Sequence, residues 1–234
     1  MIEEYITKLK PLVEELFKDE SSGHDIGHLV RTMNLALYIC EKENGDELIV
    51  GISAFLHDVH RIMENEINKN GSEYRFVSPK ESLPKVKEML SHIDLTDEQV
   101  NEICFCIENH ENYNWSGDNV DDINALILQD ADNLDAIGAI GIARSLTYSG
   151  ANNIAVYDDT KPLITDANYK EGDKDPSVLH HFYHKLFKLG DQMNTKTARE
   201  IAEKRIQFMK DFTKEFLDEW NLDEYKKELK FKKI

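Results

Sequence analysis

Apolar residues recur at three- and four-residue intervals through most of the chain. Leu29, Met33, Ala36, Leu37 and Cys40 trace one such stripe, with Gly45 as its stop, which predicts an amphipathic helix with His28 in its first turn. The next segment, DELIVGISAFLHDVHR, is apolar almost all round from Leu48 to Leu56, the pattern of a helix buried at the centre of a fold. Thr96 opens TDEQVNEICFCIENHENY with Gln99 three residues on, a capping box. Val100, Ile103, Cys104 and Ile107 form its stripe, and His110 lies one further step along. Asp122 is placed to cap the element INALILQDADNLDAIGAIGIARSL, where Gly138 and Gly141 allow a neighbouring helix to come close. Pro176 suits the first turn of SVLHHFYHKLFKLG and Gly190 its end. Thr197 and Glu200 form another capping box before a final helix bearing Ile201, Phe208, Phe212, Phe216 and Trp220.

The helical rhythm breaks at about 64–80 and at 149–174. A connection as long as the second is usually functional inside a compact domain, and it is read as a substrate-facing lid. The pattern predicts an all-α protein folded as one domain over 1–234, with its core between about 20 and 215 and the last helix packed on it.

Composition narrows the class. The 234 residues are 41% hydrophobic and 31% charged, which suits a packed globular chain and excludes a disordered one. A net charge of −17 argues against a broad nucleic-acid-binding surface. If the substrate is anionic, a bound cation is the economical way to invert this field locally. Cys40, Cys104 and Cys106 make no CxxC pair, the sparse usage of a reducing compartment. No apolar run approaches the roughly 20 residues that span a bilayer, so no membrane partner and a cytoplasmic location are expected.

Two clusters of ionisable residues stand out. The buried apolar helix ends in His57-Asp58, and two such groups at that place need compensation. In LQDADNLDAIG, Asp132 and Asp135 share a helix face with Leu128 while Asp130 points elsewhere. Upstream, SSGHDIGHLVRT sets His24 and His28 four residues apart, a spacing at which both, or either alone, reach one ion. Together His28, His57, Asp58 and Asp132 offer two nitrogen and at least two oxygen ligands. That set suits Mn²⁺, Mg²⁺, Fe²⁺, Ni²⁺ or Co²⁺ with coordination positions left open.

The order His28, then His57-Asp58 in AFLHDVHR, then Asp132 in QDADNLDAIGAIGIAR resembles the H…HD…D pattern of the HD-domain metal-dependent phosphohydrolases. GHDIGHLVRT, IENHENY, HHFYHKLFKL and MNTKTAREIAEKR extend the resemblance to the bacterial YedJ/YpgQ-like branch, from about residue 20 to about 215. It implies an all-α helical bundle with a central divalent metal ion held by His28, His57, Asp58 and Asp132. It implies hydrolysis of a phosphate ester or anhydride, with a nucleotide such as a nucleoside triphosphate as small-molecule partner. One histidine of the upstream pair is then a ligand, and His24 and Asp25 fall to the mouth of the site, with Asp25 also placed to cap the helix.

Within that reading, Asp58, Asp135 or His60 would orient or deprotonate the attacking water. Arg31, Arg61, Arg144 and Lys185 are the cations available to phosphate oxygens, and His24 and His110 the further substrate contacts. Where some HD hydrolases carry an acid shortly after the doublet, this chain has His60 and Arg61. His180, His181 and His184 are set aside as packing residues, because the sequence shows no acid companion nearby. Two rivals stay open: a di-iron oxygenase drawing on His92 and His110, and a nucleotide sensor without turnover. A homodimer is compatible with the sequence.

Overall fold

The computed structural model describes residues 2–20, 23–70, 75–112, 120–163, 169–170 and 173–221. These form the helices α1 (Ile2–Leu16), α2 (Ile26–Glu43), α3 (Glu47–Leu56), α4 (Val59–Asn70), α5 (Pro79–Leu90), α6 (Asp97–Asn109), α7 (Ile123–Asp135), α8 (Gly138–Ala151), α9 (Val178–His184) and α10 (Lys196–Trp220), with a 3₁₀ turn at Leu186–Gln192. No strand occurs among the described residues, and the sole extended pairing there is an isolated bridge between Ala155 and Ser177. The fold is all-α, as the hydrophobic period predicts.

Side-chain caps set several of the starts. Asp25 accepts from the His28 amide, Asp46 from Leu48 and Ile49, Thr96 from Gln99 in a full capping box, and Asp122 from Ala125. Each satisfies amide groups that a helix leaves unpaired, worth about 1 kcal/mol apiece.

The central helix is α3, whose residues from Ile49 to Leu56 are all buried. It packs on α1, α2, α6 and α7, while α2 and α7 pack on each other. Ile49, Val50, Ile52, Phe55 and Leu56 thereby join one apolar cluster with Leu29, Ile39, Ile107, Ile127, Leu128 and Leu134. Burying each such side chain contributes about 1.5–3 kcal/mol. The three helices that carry the candidate ligands are thus the ones most firmly fixed.

Several boundaries differ from the sequence reading. The stretch from Ile123 to Leu146 is two helices, because Gly138 takes a φ of +79° after an extended Ile137 and the chain turns there. Gly138 does lie against another helix, through Arg205 of α10, whereas Gly141 faces the Ala136 carbonyl of its own turn. SVLHHFYHKLFKLG also divides, at Lys185, into α9 and the 3₁₀ turn. The last helix is capped by Thr195 rather than Thr197, whose amide is taken by the Glu43 carboxylate 2.7 Å away. Residues 64–70, read as a break, continue α4, and α8 runs on to Ala151. Beyond it, Ala155 and Val156 accept hydrogen bonds from Val178 and Leu179 at the start of α9. Residues 164–168 and 171–172 of the expected lid lie outside the described residues.

Candidate metal centre

His28 enters the centre from the first turn of α2, His57 and Asp58 from the end of α3, and Asp132 from the last turn of α7. His28 Nδ1 donates to Asp135 Oδ2 at 2.7 Å, and His57 Nδ1 donates to the Ala54 carbonyl at 2.8 Å. With those nitrogens committed, both Nε2 atoms face inward, 3.1 Å from each other. Asp58 Oδ2 lies 3.2 Å from His28 Nε2 and 3.6 Å from His57 Nε2, and Asp132 Oδ1 lies 3.4 and 3.6 Å from the same two atoms.

Two imidazole nitrogens at this separation need a positive charge beside them: a proton without metal, a divalent ion with it. Atoms that share an ion at about 2.1–2.2 Å are about 3.0 Å apart in neighbouring octahedral positions and about 3.5 Å apart in a tetrahedron. The histidine–histidine and histidine–carboxylate separations fall close to that range, and His28, His57 and Asp132 group closely enough to share a divalent ion, with Asp58 against the same two nitrogens. Asp58 and Asp132 supply the two negative charges that would balance it. His28 and His57 are wholly buried and the Asp58 side chain is 3% exposed, whereas that of Asp132 is 26% exposed. The open flank of the centre is therefore at Asp132.

The electrostatics match the geometry. Burial alone would raise the Asp58 carboxyl, but the His57, His24 and His28 imidazoles hold it well below the usual carboxylate range. Asp132 is likewise driven down against burial by His28 and His57. Burial would depress His28, yet the carboxylates of Asp132, Asp135 and Asp58 push it up to about 10. The centre demands a cation, and in its absence holds protons.

Asp135 sits behind the ligands. Beyond His28, its carboxylate accepts from Arg31 Nε at 2.8 Å, Arg31 Nη2 at 3.0 Å and Arg144 Nη1 at 3.0 Å. Despite burial, these partners hold it far below its ordinary value. Arg31 and Arg144 therefore reach the centre through Asp135. His24, a third exposed, bonds Asp58 Oδ2 through Nδ1 at 2.8 Å. His24, His28 and Asp58 also group closely enough to share an ion, so both histidines of the upstream pair line the centre.

The remaining candidates fall into three places. His60, Arg61 and His110 lie on the inner flank with Glu111, which sequence reasoning did not single out. His60 Nε2 stands 3.4 Å from Glu111 Oε1, and Arg61 Nη2 donates to that same oxygen. Burial lowers His110 to about 4, and Glu111 is held far below its ordinary value, against burial, mainly by Arg61. The signal for Glu111 was present: His110-Glu111 ends α6 as His57-Asp58 ends α3. Lys185 belongs to a second cluster, its Nζ 4.5 Å over the Tyr169 ring, which also packs on His181 and His184. Here the structure corrects the sequence reading, for Asp175 accepts from both His181 Nδ1 and His184 Nδ1 at 2.8 Å. That acid lies in the preceding loop, off the helical period.

Asp130 and His92 lie away from the centre. Asp130 is wholly buried and accepts from the amides of Asn194 and Thr195 and from the Thr195 hydroxyl at 2.7–2.8 Å. It ties α7 to the start of α10. His92 is exposed on the turn after α5, its Nδ1 on the Glu88 and Met89 carbonyls. The di-iron reading loses that ligand.

The chain is similar to known proteins in sequence and in fold. Residues 25–137 match the family model described as the HD domain, a span that holds every residue of the four-ligand set. YpgQ of Bacillus subtilis, an uncharacterised protein, is 33% identical over 215 residues, covering 89% of this chain and 90% of its own. The crystal structure of an HD-superfamily hydrolase from Bacillus thuringiensis superposes with a TM-score of 0.68 at 33% identity, covering 94% of this chain and 99% of that one. That of Bacillus subtilis YpgQ in complex with ADP does so with a TM-score of 0.64 at 31% identity, covering 94% and 96%.

Proposed function

Since this chain belongs to the HD-domain family, we propose that it is a metal-dependent phosphohydrolase acting on a nucleotide, with a nucleoside triphosphate the leading substrate. The observation that carries this reading is the meeting of His28 Nε2, His57 Nε2, Asp58 Oδ2 and Asp132 Oδ1, at 3.1–3.6 Å across each histidine's contacts. The complex of Bacillus subtilis YpgQ with ADP supports a nucleotide as the ligand class. The family's hydrolases support the reaction class.

A divalent ion in this centre would supply a polarised phosphoryl oxygen and a bound water of lowered pKa. The chain's own groups do the rest. Asp58, ionised and hydrogen-bonded by His24, stands where it can orient that water and take its proton. Asp135 fixes His28 in the tautomer that turns Nε2 inward, and Arg31 and Arg144 neutralise Asp135 while keeping positive charge near the incoming phosphate. The exposed edge of Asp132 gives the substrate its approach.

The test is a panel of nucleotides assayed for phosphate and pyrophosphate release with Mn²⁺, comparing the wild-type chain with Asp58→Ala. Loss of release in the variant is expected. Equal turnover would overturn the mechanism. Binding of nucleotides without release, for every metal tried, would turn the reading to a sensor, and oxygen consumption with two irons per chain would turn it to an oxygenase.

A further inference from the structure

Arg205 of α10 is half-buried, and its guanidinium bonds a carbonyl: Nη1 donates to the Leu134 oxygen at 2.5 Å. Leu134 lies in the last turn of α7, and the same carbonyl accepts from the Ile137 amide at 3.2 Å. Gly138, at a φ of +79°, rests on the arginine stem, where an added Cβ would come within 3.0–3.3 Å of Arg205 Cβ, Cγ and Cδ. The turn between α7 and α8 is thus seated on one side chain of α10. Burial pushes the guanidinium below the usual arginine range, and the Asp135 carboxylate works against that shift. An apolar side chain could fill this space. A cation also satisfies a terminal carbonyl and faces the negative end of the α7 dipole.

We propose that Arg205 is a positioning residue of the metal centre, which sets where α7 presents Asp132 and Asp135 by clamping the Leu134 carbonyl from α10. Leu134 stands directly between those two acids in the chain. Asp135 in turn receives Arg144 of α8 at 3.0 Å, a bond that closes across the same turn. A shift at Leu134 therefore moves a metal ligand, the acid behind His28 and the arginine on that acid together. Arg205 acts through this backbone and not on the ion or the substrate. Asp130 supplies the contrast, because it also ties α7 to α10, through Asn194 and Thr195, but points away from the ion. The inference rests on the four-ligand metal centre of the proposed function and is independent of which substrate is cut.

The experiment is a Mn²⁺ titration of the chelator-treated, full-length chain, following free Mn²⁺ by electron paramagnetic resonance, with denaturant unfolding of each variant alongside. Arg205→Met keeps the stem under Gly138 and removes the donor and the charge, and its Mn²⁺ affinity is expected to fall by about tenfold or more. Arg205→Lys keeps the charge and is expected to hold affinity within about threefold of wild type. Asp130→Ala is expected to lose stability without losing affinity, which separates positioning from general loosening. Wild-type affinity in Arg205→Met, or an equal loss of affinity in Asp130→Ala, would overturn the inference and leave the metal centre standing. No Mn²⁺ bound by the wild-type chain would overturn the centre and this inference with it. Hydrogen exchange of the wild-type chain tests the same link without a variant: Mn²⁺ should slow exchange in the α10 turn that bears Arg205 as well as at the end of α7. Slowing at α7 with none in that turn would overturn the inference.

Discussion

Asp135 Oδ2 stands 2.7 Å from His28 Nδ1, while Arg31 and Arg144 close on the same carboxylate. Four donor contacts leave this acid little capacity to take a proton from water, so it acts through His28. Asp135→Asn removes the charge that fixes the His28 tautomer. Metal affinity is expected to fall by about 10–100-fold, measured by Mn²⁺ titration, with turnover recovering as Mn²⁺ is raised. Unchanged affinity with lost turnover would make Asp135 a catalytic base instead.

His24 touches the centre through Asp58 Oδ2, 2.8 Å away. His24→Ala is expected to keep the ion and to lower turnover by about 10–100-fold, since the lost bond orients the carboxylate that handles water. His28→Ala is expected to lose the ion. Metal content of the two purified variants separates these roles, and loss of metal from His24→Ala would place His24 among the ligands.

Metal binding should depend on pH in one direction. In the metal-free chain His28 is pushed up to about 10 by Asp132, Asp135 and Asp58, against burial, so it is protonated at neutral pH. A metal ligand must be unprotonated, and the ion therefore displaces that proton. Affinity should rise with pH between about 6 and about 9, by up to about tenfold per unit. Calorimetry in buffers of different ionisation enthalpy should find about one proton released per ion. The same proton adds stability to the metal-free fold below the unfolded histidine value, and that contribution is lost as pH rises through about 10. An affinity that is flat or falls with pH would contradict the assignment.

Asp130 is a structural acid. Asp130→Ala would strand the Asn194 and Thr195 amides and the Thr195 hydroxyl in a buried place, at a cost of about 3–5 kcal/mol. Denaturant unfolding measures this loss. The folded fraction should keep its metal, because Asp130 points to α10 and not to the ion.

Much of this was legible from residue order. His57-Asp58 at the end of an apolar helix, and acids on a Leu/Ile/Ala helix, signal compensation by a cation wherever they occur. What the sequence did not carry is the pairing that spans distance. Asp135 meets Arg31 104 residues away, and His184 meets Asp175 nine residues back in a loop, off the helical period. The break between α7 and α8 rests on the positive φ of Gly138, which reads as an ordinary small residue in a helical run. Glu111 carried a signal, following His110 at the end of α6, but its partner Arg61 lies 50 residues away and only the fold brings the two together.

In the proposed function, an ion held by His28, His57, Asp58 and Asp132 switches on nucleotide hydrolysis. Its most direct measurement is a Mn²⁺ titration of the chelated chain with a nucleoside triphosphate present, recording bound metal and released phosphate or pyrophosphate together, with Asp132→Ala alongside. Release should start from background, rise as the ion binds, and stay at background in the variant. Release that precedes metal binding, or that survives in Asp132→Ala, would contradict it.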